Sequence, residues 1–301
     1  MQQEIIDHLL KTQALTSTNN FFNFTVNPDK ILKNLLPKIP LDSHKAIFGH
    51  VMVISGHNNT SGAARLSAIS ALRAGCGLLT ILNMFDTHEQ NADIPEIMHK
   101  TYDEHNKDFF NKVDCLVIGP GLSTDNKFQN QALKILKHAT QHCKYMVIDA
   151  DALDLIKNNK IDFGKCEVIL TPHPKEASLM LDIETQDVIN DRFLAIQKIS
   201  SMNNIKNTNL TVILKGATCL IYNKSRFFIF NNDEALLATA GTGDILSGSI
   251  AALVLQTNCA LSACILAVSL SLMSAKSFHK FASRGILASE FTLLFPYLLK
   301  R

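Results

Sequence analysis

The sequence has no tryptophan, only 7% aromatic residues and almost no excess of charge. Its 29 lysines and arginines face 27 acidic residues, for a formal net charge of +2, and the basic residues are scattered singly. So even a balance excludes the electrostatic footprint of a nucleic-acid or anionic-membrane binder. Also absent is any Cys-x-x-Cys spacing among the seven cysteines, Cys76, Cys115, Cys143, Cys166, Cys219, Cys259 and Cys264. Their odd number and apolar settings exclude a disulfide framework or zinc site and fit reduced core thiols. The opening MQQEIIDHLL carries Glu4 and Asp7 where a signal peptide has its apolar run, so a cytoplasmic location is expected. Two nucleotide signatures are missing as well. Gly56 to Gly62 does not end in Gly-Lys-Ser/Thr, and no Gly-x-Gly-x-x-Gly follows a strand-like run.

What is present is apolar residue: 47% of 301 positions, enough for a sizeable core. From Ile245 to Ala275 there is no charge at all, which raises a transmembrane reading. The polar triplet Gln256-Thr257-Asn258 divides that stretch, so two buried helices joined by a turn are expected, and no membrane. Residues 1–42 are polar, Asn-rich and weakly patterned, with helical hints from Pro28 to Leu36. They read as an N-terminal arm or helix ahead of one α/β domain over 43–301.

Within that domain β-rich runs occur at His50–Ser55, Leu78–Leu82, Cys115–Ile118, Tyr145–Ile148, Val168–Leu170 and Thr211–Leu214. Helical patterns lie between them, around Leu66–Leu72, at Phe128–His138 and at Val188–Met202. The alternation predicts a mostly parallel sheet covered on both faces. Thr218–Tyr222 and Phe227–Phe230 follow Thr211–Lys215 after short connections, which predicts an antiparallel meander at one edge.

Open α/β sheets bind ligands beyond the carboxyl ends of their strands. There the sequence places Gly56–Ala64, Gly119-Pro120-Gly121-Leu122-Ser123, Asp149-Ala150-Asp151, Thr171-Pro172-His173-Pro174-Lys175-Glu176 and Lys215-Gly216-Ala217-Thr218. The most telling segment is Ala240-Gly241-Thr242-Gly243-Asp244, which runs into an apolar helix. Glycines there let the backbone approach a ligand, and the free N–H groups of Gly241, Thr242 and Gly243 would form an anion hole. Asp244 is either a base beside that hole or an N-cap; the pairing of carboxylate and anion hole suits phosphoryl transfer. Asp149 and Asp151 are turn-formers or outer-sphere magnesium ligands, and His173 is a ligand contact or a helix cap.

These residues resemble the ADP/ATP-dependent NAD(P)H-hydrate dehydratase family, a branch of the ribokinase-like superfamily. The likeness runs from His44 to the C-terminus. It rests on His44-Lys45-Ala46-Ile47-Phe48-Gly49 with Gly62-Ala63, on Pro95-Glu96-Ile97-Met98, on Gly119–Leu122, on Thr171–Glu176 and on Ala240–Asp244. It implies a three-layer αβα sandwich with a mostly parallel sheet and an antiparallel edge. It further implies dehydration of the S epimer of NADHX and NADPHX, with ADP or ATP as phosphoryl donor and Mg²⁺ as cofactor, its ligands unknown. Ala63, Gly121, His173 and Asp244 would line the hydrated dinucleotide, with Asp244 the catalytic base. Lys215, Gly216, Ala217, Thr218, Cys219 and Gly243 would contact the adenine nucleotide. Ala46, Ser123 and Lys175 stand where the family commonly has glycine, and Lys175 either reaches a substrate phosphate or points to solvent. The resemblance also implies a homo-oligomer, a tetramer, with a separate NAD(P)H-hydrate epimerase as pathway partner. Competing readings are a vitamin or sugar kinase of the same superfamily and a nucleotide-sensing protein without catalysis.

Overall fold

The computed structural model describes residues 2–18, 23–39, 41–56, 60–85, 94–106, 108, 110–206, 209–231 and 234–300. The strands are β1 (Leu15–Ser17), β2 (Asn23–Val26), β3 (His50–Ser55), β4 (Leu78–Asn83), β5 (Met98–Thr101), β6 (Cys115–Ile118), β7 (Tyr145–Ile148), β8 (Ile161–Asp162), β9 (Glu167–Leu170), β10 (Ile205–Lys206), β11 (Asn209–Leu214), β12 (Thr218–Asn223) and β13 (Arg226–Asn231). The helices are α1 (Gln2–Lys11), α2 (Pro28–Leu35), α3 (Ser61–Arg73), α4 (Asn126–Ala139), α5 (Leu153–Asn158), α6 (Pro174–Leu181), α7 (Thr185–Asn190), α8 (Arg192–Ser200), α9 (Thr242–Thr257), α10 (Ala260–His279), α11 (Ala288–Phe291) and α12 (Phe295–Leu298). Among the described residues the main sheet has the order β1-β2-β13-β12-β11-β9-β7-β6-β3-β4-β5, and β8 pairs with β10 apart from it.

Side chains alternate across a strand, and here both faces are apolar. Val51 and Val53 of β3 enter one core with α2, α3, α9 and α10. Met52 and Ile54 enter the other with α4, α5, α6 and α8. The result is the three-layer αβα sandwich, parallel from β5 across to β11, with β12 antiparallel to both its neighbours.

The uncharged stretch forms α9 and α10, broken at Asn258, which is left-handed at φ 50°. By length and composition α10 could cross a membrane, yet it lies largely buried in the same core as α2 and α9. The start of α9 is tied to α3: the Ser67 hydroxyl donates to Asp244 O at 2.8 Å and that of Ser70 to Ile245 O at 2.6 Å.

Three elements depart from the sequence reading. The N-terminal segment is no mere arm, since β2 adds to β13 in parallel and Phe24 stacks on Phe228 at 5.3 Å between centroids. The meander of β11, β12 and β13 is present and the sheet edge on that side is antiparallel as expected, but its outermost strand is β1, paired antiparallel to β2. The expected helix Val188–Met202 is two, because Asp191 turns the chain and accepts the Leu194 N–H at 2.9 Å to cap α8. Finally, Met98–Thr101 is a strand, mostly exposed, at the opposite edge beside β4.

Candidate active site

Gly241 precedes α9 with φ 91°, and a Cβ there would lie 2.5 Å from Leu66 Cδ1, so backbone freedom and space both call for glycine. The next turn leaves amides without helical acceptors. Thr242 N–H donates to Thr239 O at 3.3 Å, so Thr242 does not serve the expected anion hole. Among the described residues the free amides are those of Gly241, Gly243 and Asp244. Asp244 is the third helical residue rather than the N-cap, and no described donor bonds to its carboxylate. Burial, together with the negative charges of Asp149 and Glu176, pushes its carboxyl up to about 7 against the pull of Lys215.

Lys215 follows the end of β11. Its Nζ donates to Asp149 Oδ1 at 2.8 Å and lies 3.7 Å from Glu176 Oε2. It also stands 3.3 Å from where a Cβ of Gly243 would be, which places the ammonium at the start of α9. Burial opposes the lysine's charge, but Asp149, Glu176 and Asp244 hold its pKa above the ordinary value. Burial equally opposes ionisation of Asp149, yet Lys215 and the Ser247 hydroxyl, donating to Oδ2 at 2.6 Å, keep its carboxyl below the usual range. Of the two open readings of Asp149, a turn-former alone does not fit: it is the buried partner of Lys215.

His173 does cap α6. Its Nδ1 accepts the Glu176 N–H at 3.2 Å, and Glu176 Oε2 accepts the His173 N–H at 2.7 Å. Burial and the Lys215 charge lower the imidazole pKa, in keeping with a neutral ring whose Nε2 lies 3.2 Å from Glu176 Oε1. Lys175, one residue along from Pro174, is exposed.

A second group forms where the loop after β6 meets α3. Gly121 has φ 68°; a Cβ on it would sit 2.2 Å from Thr60 O and 3.4 Å from Ala63 Cβ. The Thr60 hydroxyl donates to Gly121 O at 2.8 Å. Ser123 takes φ 79° without being glycine, its N–H held by Asp151 Oδ2 at 3.0 Å. Ala63 lies one turn before Ser67, so α3 links this group to Asp244 without a direct contact between them. His57, Asn58 and Asn59 lie outside the described residues.

A cavity of about 470 Å³ opens beside the charged cluster. Lys215, Gly216, Ala217, Cys219, Thr242 and Gly243 line it, while Thr218 does not. The sequence reading missed its other wall: Glu234 and the apolar Leu246, Val268 and Leu272. A mainly apolar slot ending at a lysine and free amides suits a flat ring carrying an anionic tail. The His44–Gly49 segment is far from all of this, at the amino ends of the strands, where Lys45 O would lie 1.8 Å from a Cβ on Gly77.

No group of three or more His, Cys, Asp or Glu side chains among the described residues could hold a metal ion unaided. The donor set nevertheless fits magnesium, which is ordinarily held by one or two carboxylates, waters and substrate phosphates. Asp149, Glu176 and Asp244 outnumber the single ammonium of Lys215, so an incoming polyphosphate needs a cation here.

Comparison with known proteins agrees with this geometry. A family model described as NAD(P)H-hydrate dehydratase matches residues 51–295. The chain is 35% identical over 303 residues to the bifunctional NAD(P)H-hydrate repair enzyme of Coxiella burnetii, covering 96% of this chain and 58% of that enzyme's length. It is also 35% identical over 222 residues to the ADP-dependent (S)-NAD(P)H-hydrate dehydratase of Neisseria meningitidis, covering 71% of this chain and 72% of the relative. Among solved structures, a ribokinase-like superfamily protein of Enterococcus faecalis superposes with a TM-score of 0.80 at 25% identity, over 94% of this chain and 98% of that one. The Bacillus subtilis ADP/ATP-dependent NAD(P)H-hydrate dehydratase, co-crystallized with ATP/Mg²⁺, shares the fold with a TM-score of 0.75 at 22% identity, over 90% of this chain and 96% of that one. The chain belongs to the NAD(P)H-hydrate dehydratase family.

Proposed function

We propose that the protein returns the S epimer of NADHX and NADPHX to NADH and NADPH, using ADP or ATP as phosphoryl donor. The observation that carries this is Asp244: an unbonded carboxylate titrating near 7, beside free amides and Lys215. The hydrate bears a hydroxyl on a saturated ring carbon next to the ring nitrogen, and hydroxide leaves poorly. Asp244 takes the hydroxyl proton as that oxygen attacks the terminal phosphorus of the donor. The amides of Gly241, Gly243 and Asp244 hold charge on the transferred group, and Lys215 faces it from the other side. The ring nitrogen lone pair then expels phosphate, and loss of a ring proton restores the dihydropyridine. With ADP the balance is hydrate plus ADP giving NADH, AMP and phosphate, the water leaving inside the phosphate. Mg²⁺, held through the carboxylates of Asp149 and Glu176 or their waters, would neutralise phosphate charge.

In this reading the cavity beside Lys215 takes the adenine nucleotide, and Ala63, Gly121 and His173 border the dinucleotide. The test is to follow NADH absorbance with NADHX, Mg²⁺ and either donor. NADH is expected only when nucleotide is present. A stable phosphorylated product would instead mark a kinase, and recovery without nucleotide would overturn the reading.

A further inference from the structure

Arg192, the first residue of α8, has no part in the chemistry above. A single nitrogen of its guanidinium, Nη2, donates to the carbonyl oxygens of Leu214 at 3.0 Å, Lys215 at 2.8 Å and Thr218 at 2.9 Å. Two hydrogens serving three acceptors means that one is shared, so the three carbonyls converge on one point. They belong to the turn between β11 and β12, which lends Lys215, Gly216 and Ala217 to the cavity wall. The contact is close: a Cβ on Gly216, whose φ is 139°, would come 3.1 Å from Nη2.

A trans peptide points its C=O and N–H in opposite directions. Turning the Lys215 carbonyl onto Arg192 therefore turns the Gly216 N–H away from the guanidinium. Lys215 N–H is taken by Pro172 O at 2.9 Å, but neither Gly216 nor Ala217 N–H has an acceptor among the described residues. Nor does any described carboxylate form an ion pair with Arg192. Burial opposes its charge, yet a guanidinium stays protonated at any ordinary pH. Three carbonyls of the turn are thus gathered on one side, over a cation that no described carboxylate pairs with.

We infer that Arg192 is a positioning residue for the phosphoryl donor: by holding the Lys215 carbonyl it presents the Gly216 amide to an anionic group of the nucleotide. This rests on the reading of the cavity as the donor site. Binding of ADP and ATP, each with Mg²⁺, is to be titrated by calorimetry against the wild type, Arg192→Gln and Arg192→Lys, with Tm recorded for each. In Arg192→Gln the Kd for both nucleotides is expected to rise roughly ten- to a hundredfold, the range for losing charge-assisted hydrogen bonds. Arg192→Lys keeps the charge without the fork and falls between. The KM for the hydrate stays within about twofold, because the turn borders the donor cavity, so the loss is read in nucleotide Kd. A wild-type Kd in either folded variant, whatever its Tm, makes Arg192 a structural support and overturns the inference. Arg192→Lys decides by the same criterion where Arg192→Gln does not fold. A wild type that binds neither nucleotide removes the donor site and this role together. Nucleotide binding without NADH recovery strikes only the proposed reaction.

Discussion

At the amino ends of the central strands, His50 is engaged through its backbone and both ring nitrogens. His50 N–H donates to Asp114 Oδ2 at 2.8 Å, and its ring nitrogens lie 2.9 Å from Lys112 O and 2.8 Å from Thr80 Oγ1. Burial lowers the pKa of that imidazole and nothing there opposes a neutral ring enough to reverse it. At the carboxyl ends, among the described residues, Asp244 has no donor, the amides of Gly216, Ala217, Gly241, Gly243 and Asp244 have no acceptor, and carboxylates outnumber the Lys215 ammonium. Both ends are tightly packed, with Gly77 against Lys45 O at one and Gly241 against Leu66 at the other. What separates them is the partly buried ionisable cluster of Asp149, Glu176, Lys215 and Asp244 at the carboxyl ends, where chemistry is expected.

That contrast is broken most sharply at Asp244. Asp244→Asn should cut turnover by roughly two to four orders of magnitude, the span for a positioned general base. Nucleotide Kd should hold or improve, since one negative charge leaves the cluster. For the wild type, kcat/KM should climb with pH and level off above about 7, where the free carboxylate predominates. The sign for stability is opposite. Because the folded carboxyl titrates near 7, above its ordinary value of 3.8, ionising it weakens the fold as pH rises through that window. The Asn variant should therefore melt no lower than wild type at pH 8. Intact turnover with a lowered Tm would return Asp244 to the structural end of the comparison.

The other end should answer in the reverse sense. In Gly77→Ala the new Cβ meets the backbone oxygen of Lys45 at 1.8 Å, which only a backbone shift relieves. A stability loss of about 1–3 kcal/mol is expected from denaturant melts, with kcat/KM of the folded protein within about twofold. A loss of kcat at unchanged stability would erase the distinction between the two ends. The smallest effect is expected at Lys175, which is exposed beside His173. Lys175→Gly should leave the KM for the hydrate within about twofold and cost under about 1 kcal/mol, the helix-propensity difference. A tenfold rise in that KM would add Lys175 to the substrate contacts.

Strands β3, β6 and β7 were legible to the residue because each is a short apolar run buried on both faces. β1, β2 and β5 were not. Their exposed positions dilute the pattern, and β2 finds its partner, β13, some 200 residues downstream. Within the site, Ala240–Asp244 announced itself through glycine spacing. Asp149 left its role open until Lys215 stood beside it. Arg192 gave no signal at all, since its partners are backbone carbonyls that any sequence supplies. Val268 and Leu272 were equally silent, because on α10 an apolar residue facing a cavity reads like one facing the core.

The two added strands bear on the wall of the cavity beside Lys215. Without β2, the ribbon of β12 and β13 would hang as a hairpin off β11, free to peel from one side. With β2 laddered to Phe227–Ile229 and Phe24 stacked on Phe228, β13 is hydrogen-bonded along both flanks. Peeling it then means breaking two rows of bonds at once, so its amides belong with the slow-exchanging core. The β12 wall of the cavity is therefore anchored through the whole sheet, whereas the Glu234–Ala238 lining belongs to a short helical turn outside it.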